Sequence, residues 1–112
     1  MRRGEIWTVA GSGYAGKPRP ALVIQSDLFQ LLPSVTVCLI TSDLTNAEDV
    51  LRIPVTPTSA NGLRGPSMVC IDKIATIPTN RVGTQAGTLE TETLAEVDQA
   101  LIVFLGFAGA NL

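Results

Sequence analysis

The segment that says most about the fold reads Lys17-Pro18-Arg19-Pro20-Ala21-Leu22-Val23-Ile24-Gln25. Proline fixes its own φ, restricts the residue before it and donates no amide hydrogen bond, so the backbone around Arg19 is stiff and leads directly into an apolar strand. A guanidinium held in this way suits phosphate, because its planar fork matches two phosphate oxygens and keeps its charge. An Arg that only pairs with a surface carboxylate at the start of a strand explains the local pattern equally well.

Further strands are predicted on both sides of this segment, from runs of β-branched, aromatic and other apolar residues. The strands are expected at residues 5–10, 20–25, 35–41, 50–55, 67–77 and 81–85. The third of them is almost continuously apolar, which predicts burial on both faces. Pro54 places the fourth at an edge of the sheet. A short helical turn capped by Ser26 or Asp27 is expected before Pro33.

One long helix is predicted close to the C-terminus. Its apolar residues recur at helical spacing and are Leu94, Val97, Leu101, Phe104 and Leu105. Thr93 and Glu96 predict a capping box at its start, after a turn at residues 87–89, and Gly106 or Gly109 ends it. Short strands followed by one closing helix predict a mostly β or α+β fold, as a small, partly open β-barrel or a strongly curved sheet.

The composition indicates one compact domain over residues 1–112, since 46% of the residues are hydrophobic and 16% are charged. No apolar run approaches the length of a membrane span, and no signal peptide is recognisable, so a cytoplasmic location is expected. The chain has no histidine, which excludes a Ser-His-Asp triad, the usual zinc site and any ribonuclease chemistry that needs imidazole. Cys38 and Cys70 lie in apolar runs and are interpreted as packed thiols, with a disulfide or a catalytic thiol as the alternatives.

The charges are segregated along the chain. The net charge of -2 counts against non-specific binding to duplex nucleic acid. A local basic site remains open, and the cations that could form it are Arg2, Arg3, Lys17, Arg19, Arg64 and Lys73. Much of the acidic charge lies instead on the predicted C-terminal helix.

A series of short motifs extends over nearly the whole chain. They are Arg3-Gly4-Glu5-Ile6-Trp7, Gly16 to Gln25, Leu39-Ile40-Thr41-Ser42, Gly62-Leu63, Pro66-Ser67, Asp72 to Ile77 and Gly87-Thr88-Leu89. In this order they resemble the MazF/PemK (Kid) toxin family of bacterial type II toxin–antitoxin systems. The resemblance implies an SH3-like β-barrel with a C-terminal helix, which works as a homodimer. It also implies sequence-selective cleavage of single-stranded RNA without a metal or another cofactor, and neutralisation by a cognate antitoxin.

The resemblance also implies which residues form the site. Arg19 and Thr41 match its core, and Asp72 matches an acidic position that some members use in catalysis. Some members place an Arg two residues before that acid, where this chain has Cys70, so a mechanism that uses that Arg as the acid does not apply here. The candidate substrate-binding residues are Tyr14, Lys17, Ser42, Arg64 and Ser67.

These residue types allow metal-free cleavage of RNA, in which the 2′-hydroxyl attacks the adjacent phosphorus. Arg19 could stabilise the charged phosphorane, and Thr41 could donate a hydrogen bond to a non-bridging oxygen or orient the hydroxyl. Asp72 is a candidate base if it faces the groove and burial raises its pKa. Both residues also have purely structural alternatives. Thr41 could simply be a β-branched residue at the end of a strand, and Asp72 could form a salt bridge with Lys73 or Arg64.

Three other functions are alternatives to the ribonuclease. A non-catalytic toxin of the same fold, resembling the gyrase poison CcdB, has no use for the pair Arg19 and Thr41. A peptide-binding barrel is disfavoured because aromatic residues make up only 4% of the chain. A metal-dependent nuclease is the weakest alternative, because the carboxylates are scattered.

Overall fold

The fold is built on one six-stranded antiparallel sheet, seen in a computed structural model that describes residues 1–10 and 17–107. The strands are β1 (Glu5–Val9), β2 (Arg19–Val23), β3 (Ser34–Thr41), β4 (Arg52–Val55), β5 (Ser67–Pro78) and β6 (Val82–Thr88). One α-helix, α1, covers Thr91–Leu105, and short 3-10 helices cover Asp27–Phe29 and Thr79–Arg81. Ser26 caps the first of these, as predicted, by accepting a hydrogen bond from the Leu28 amide.

The strand order is β4-β5-β3-β2-β1-β6, and every neighbouring pair is antiparallel. Strand β4, with Pro54, lies at one edge as predicted, and β6 lies at the other. The mostly β, α+β fold with one C-terminal helix is confirmed. The sheet is open between β4 and β6 in the described part of the chain, so it is not a closed barrel.

The hydrophobic core lies on both faces of the sheet. The cluster on the helix side contains Ile6, Leu22, Cys38, Ile40, Val55, Val69, Ile71, Leu89, Val97 and Leu101. The cluster on the other side contains Val9, Ala21, Val23, Val35, Val37 and Ile77. The adjacent residues Val37 and Cys38 belong to different clusters, so the middle of β3 is buried on both faces, as predicted.

The N-terminal residues connect the sheet to the helix. Arg3 Nη2 contacts Asp98 Oδ1 of α1 at 2.6 Å, and Arg3 Nε donates to the Ile24 carbonyl at 2.9 Å. Gly4, at φ +90°, donates from its amide to the Val23 carbonyl and accepts from the Leu89 amide at 2.8 Å. Arg3 is therefore engaged in a structural contact, away from the basic site that we predicted.

The start of α1 differs from the prediction. Residues 87 and 88 belong to β6 instead of a turn, and the helix begins at Thr91, so the capping box at Thr93 and Glu96 is wrong. The N-cap residue is Glu90, whose carboxylate accepts hydrogen bonds from Thr58 and Asn61. At the other end Gly106 takes the left-handed conformation at φ +70°, as expected for a C-terminal glycine. Gly109 lies outside the described residues.

Asn61 holds the loop between β4 and β5 against the start of the helix. Its side-chain Oδ1 accepts from the amides of Thr58 and Leu63 at 3.0 and 3.1 Å. Its Nδ2 donates to the Thr56 carbonyl and to Glu90 Oε1, both at 2.9 Å. Asn61 is fully buried, so every one of these bonds replaces a contact with water.

Replacing Asn61 with Ala should lower the free energy of unfolding by about 3 kcal/mol, because several buried polar groups lose their partner at once. Urea denaturation measures this, with Asn80→Ala on an exposed turn as the matched control. Equal stabilities of the two variants would show that the Asn61 bonds contribute little.

Within the described residues, no helix is both long enough and apolar enough to cross a membrane.

Candidate active site

Two adjacent depressions lie on the surface, and Arg19 and Ile40 line both of them. The first, here called the cationic groove, measures about 610 Å³ and is lined by Lys17, Arg19, Leu39, Ile40, Thr41, Asp43, Thr45, Asn46, Arg52, Cys70 and Lys73. The second, here called the loop groove, measures about 620 Å³ and is lined by Thr8, Pro18, Arg19, Pro20, Ile40, Ser42, Gly62, Leu63, Arg64, Gly65, Ser67, Thr84 and Ala86. Arg19 thus stands on the wall between two places where a ligand can lie.

Arg19 is the first residue of β2, and its exposed side chain stands on a well-anchored backbone. In the ladder with β1 it pairs with Val9, and residues 21–23 that follow it are fully buried. The ion pairs of the described part of the chain are Arg3–Asp98 and Arg52–Asp72, and neither involves Arg19. The alternative of an Arg paired with a surface carboxylate is therefore not seen there.

Thr41 ends β3 with an oriented hydroxyl. Its Oγ1 accepts a hydrogen bond from the Asp43 amide at 3.0 Å, which leaves the hydroxyl proton for a further acceptor. Asp43 in turn accepts from the Thr45 amide at 3.0 Å, and this bond lowers the pKa of the Asp43 carboxyl. The turn after β3 thereby fixes Thr41 at the wall of the cationic groove.

Asp72 lies beside the cationic groove and forms an ion pair with Arg52 of the edge strand β4. The hydrogen bond from Arg52 lowers the pKa of the Asp72 carboxyl. The raised pKa that we expected of a base is therefore not found. The predicted salt bridge exists, but its partner is Arg52 instead of Lys73 or Arg64.

The structure brings most of the predicted site residues together. Lys17, Arg19 and Thr41 share the cationic groove with Lys73. The loop groove collects the remaining described candidates for substrate binding, which are Ser42, Arg64 and Ser67. Ser67 is 7% exposed and donates its hydroxyl to the Gly65 carbonyl at 3.0 Å, so it also closes the loop. Tyr14 lies outside the described residues.

Arg52 is the groove residue that sequence reasoning missed. It lies opposite Cys70 in the ladder between β4 and β5, and its side chain is only 11% exposed. The sequence offered a weak signal, a cation inside an otherwise apolar strand. The register of β4 against β5, which places this cation beside Asp72, could not be derived from the sequence.

The two cysteines fit the interpretation as packed thiols. Both are free and buried, and burial raises the pKa of the Cys38 thiol to about 12. Burial also raises the pKa of Cys70. Within the described residues, no group of three or more His, Cys, Asp or Glu side chains is arranged to hold a metal ion.

The ion pair at Asp72 predicts a pH dependence of stability. The folded pKa lies below the ordinary value of about 3.9, so the carboxylate stabilises the fold above about pH 4 and this contribution is lost as the pH falls through the folded pKa. Melting temperatures of the wild type and Asp72→Asn should therefore differ most near neutral pH and converge in acid. A difference that widened in acid would contradict the assignment of the pair.

Comparison with known proteins agrees with this geometry. Residues 2–105 match the family model described as PemK-like, MazF-like toxin of type II toxin-antitoxin system. The chain is 46% identical, over 97% of its own length and 100% of the relative, to a "Probable endoribonuclease MazF" of Mycolicibacterium smegmatis. The chain therefore belongs to the family of PemK-like and MazF-like toxins of type II toxin–antitoxin systems.

Solved structures show the same fold. The Mycobacterium tuberculosis toxin MazF-mt6 matches with a TM-score of 0.78 at 27% identity, covering 92% of this chain and 97% of the toxin. A MazE-MazF structure from Deinococcus radiodurans matches with a TM-score of 0.76 at 21% identity, over 96% of this chain and 97% of that one. An endoribonuclease in complex with its cognate antitoxin, from mycobacterial species, matches with a TM-score of 0.77 at 21% identity, over 96% of both chains.

Proposed function

We propose that this protein is a toxin that cleaves single-stranded RNA at selected sequences, without a metal ion. The observation that carries the proposal is the placement of Arg19 and Thr41 on one groove, with no protein carboxylate paired to Arg19 among the described residues. The name of the relative from M. smegmatis and the family membership support the same reaction class.

In the proposed reaction the ribose 2′-oxygen bonds to the adjacent phosphorus while the bond from phosphorus to the 5′-oxygen breaks. The 2′ proton leaves to a base, and the departing 5′-oxygen gains a proton, which gives a 2′,3′-cyclic phosphate and a 5′-hydroxyl. Arg19 binds the non-bridging oxygens, where negative charge accumulates. Thr41 donates its free hydroxyl proton to one of these oxygens, because its Oγ1 is already held by the Asp43 amide.

The two grooves support single-stranded RNA as the substrate. A strand whose cleaved phosphate lies at Arg19 can extend into the cationic groove on one side and the loop groove on the other. Lys17 would bind its backbone from the cationic groove, and Ser42, Arg64 and Ser67 would contact nucleotides in the loop groove. Unpaired bases expose their edges for such contacts, which would supply the sequence selectivity.

The expected protein partners are a cognate antitoxin and a second copy of the chain. An antitoxin with an acidic and apolar tail would compete with RNA for Arg19, in the cytoplasm where both would be made. A mycobacterial protein of the same fold is described as an endoribonuclease in complex with its cognate antitoxin.

A homodimer is supported by an exposed apolar segment, because Leu28, Phe29, Leu31 and Leu32 are each about half exposed or more, and Leu31 fully. Leu31→Glu should convert the dimer to a monomer in light scattering after gel filtration. Val50→Glu, at an exposed apolar residue outside this segment, should leave the dimer intact. A Leu31→Glu protein that stays dimeric would move the interface elsewhere.

The proposed activity is tested by incubating the purified protein with mixed-sequence single-stranded RNA in EDTA. Cleavage that leaves 2′,3′-cyclic phosphate or 3′-phosphate ends is the expected result. A folded protein that leaves the RNA intact would overturn the proposal and return weight to a gyrase poison or a binding protein.

A further inference from the structure

Arg52 contributes a guanidinium to the cationic groove that the reaction proposed above does not use. Its side chain is 11% exposed, and its Nη1 donates both to Asp72 Oδ1 and to the Leu51 carbonyl, the latter at 3.2 Å. Within residues 1–10 and 17–107, neither its Nη2 nor its Nε has a hydrogen-bond partner. One nitrogen thus fixes the guanidinium, and the other two keep donors for a ligand.

The surroundings of Arg52 favour an anion as that ligand. Lys17, Arg19 and Lys73 line the same groove, and the only carboxylate among its lining residues is Asp43. Asp72 balances one positive charge, which leaves a clear excess of cations around the groove. A poly-anion passing Arg19 would therefore be drawn along the groove towards Arg52.

The sheet separates the backbones of Arg52 and Arg19. The order β4-β5-β3-β2 puts three strand steps between Arg52 and Arg19, which is about 14 Å along the sheet at about 4.8 Å a step. Side chains that start from backbones this far apart are suited to two successive phosphates of one RNA strand. The two residues therefore have different tasks.

We propose that Arg52, held in place by Asp72, binds a backbone phosphate of the RNA on the β4 side of the cleaved bond. Asp72 is then a positioning residue that acts through Arg52, and it is not the base of the reaction. This inference rests on the proposed function, since it names a further contact to the same substrate.

The first experiment measures binding, using a single-stranded oligonucleotide in which 2′-deoxy sugars prevent cleavage. Arg52→Ala should weaken binding about tenfold and lower the slope of log Kd against log salt by about 0.7, the value for one phosphate contact on a single strand. Arg81→Ala removes an exposed cation that lines neither groove and should leave the slope unchanged. Arg52→Gln, which keeps most of the side chain, repeats the test if the Ala variant does not fold.

The second experiment tests whether Asp72 positions Arg52 or acts as the base of the reaction. Arg52→Ala should raise KM about tenfold with kcat nearly unchanged, which is the signature of lost binding. Asp72→Asn should raise KM in the same way by a smaller factor, and it should have no further effect in the Arg52→Ala background. A lower kcat from Asp72→Asn in that background would overturn the positioning role.

The outcomes distinguish this inference from the proposed function. An unchanged salt slope and KM in Arg52→Ala, with RNA still cleaved, would overturn the phosphate contact and leave the ribonuclease standing. If the wild type binds the oligonucleotide but cleaves no RNA, the proposed function fails. The change in the salt slope of Arg52→Ala then decides whether Arg52 binds a phosphate. If the wild type cleaves RNA but does not bind the deoxy oligonucleotide, the KM of Arg52→Ala decides on the phosphate contact: a raised KM supports it and an unchanged KM overturns it.

Discussion

Arg19→Ala should lower the rate of RNA cleavage by a factor of about 100 to 1,000 while leaving the fold intact. The loss is large because, in the proposed reaction, Arg19 binds the oxygens on which charge develops in the transition state, and removing one such donor typically costs about 100- to 1,000-fold. The fold should tolerate the change, since the side chain is exposed and forms no ion pair among the described residues. Single-turnover cleavage rates, with melting temperatures beside them, measure both parts.

The matched control for Arg19 is Arg81→Ala, which removes the same charge from an exposed turn. This variant should cleave at the wild-type rate. Retained cleavage by a folded Arg19→Ala protein would contradict the role that both the sequence and the groove assign to this residue. A loss in both variants would point to the overall charge of the protein.

Gly62→Ala should lower the free energy of unfolding by about 4 kcal/mol, among the largest effects of a single substitution. Gly62 is at φ +70°, a backbone conformation that residues other than glycine rarely adopt. An added Cβ would also overlap the carbonyl oxygen of Ala86 on the edge strand β6. A backbone group cannot rotate away as a side chain can, so the loop or the strand must shift. Denaturant titration of the variant measures the loss.

The same loop offers a control for Gly62. Gly65 has no atom within 4 Å of an added Cβ, so Gly65→Ala should change stability by no more than about 1 kcal/mol. Because both glycines line the loop groove, a stable Gly62→Ala protein with altered RNA selectivity would show that the loop moves instead of unfolding.

The sequence predicted the elements of the fold well and their connections poorly. Alternating apolar runs and Pro54 were enough for six strands and an edge, because burial of side chains decides them locally. The start of α1 was misplaced, since Glu90 bonds to Asn61 and Thr58 from a distant loop and no local capping pattern records this. The shape of the sheet likewise depends on the pairing of β6 with β1, which are distant in the sequence.

The candidate site divides in the same way. Arg19 and Thr41 could be proposed because each stands at the end of an apolar strand within a recognisable motif. Arg52 could not, because its place depends on the register of β4 against β5. The lowered pKa of Asp72 depends on the same register, because the hydrogen bond that lowers it comes from Arg52.

The pairing of β1 with β6 bears on how the protein emerges from the ribosome. One edge of β1 stays unpaired until residues 82–88 have been synthesised and form β6. The ion pair between Arg3 and Asp98 also forms only after most of the chain has been made. Thr84 and Ala86 of β6 also form part of the loop groove. A nascent or prematurely terminated chain therefore lacks one wall of the loop groove, so that the proposed activity would arise only when synthesis is nearly complete.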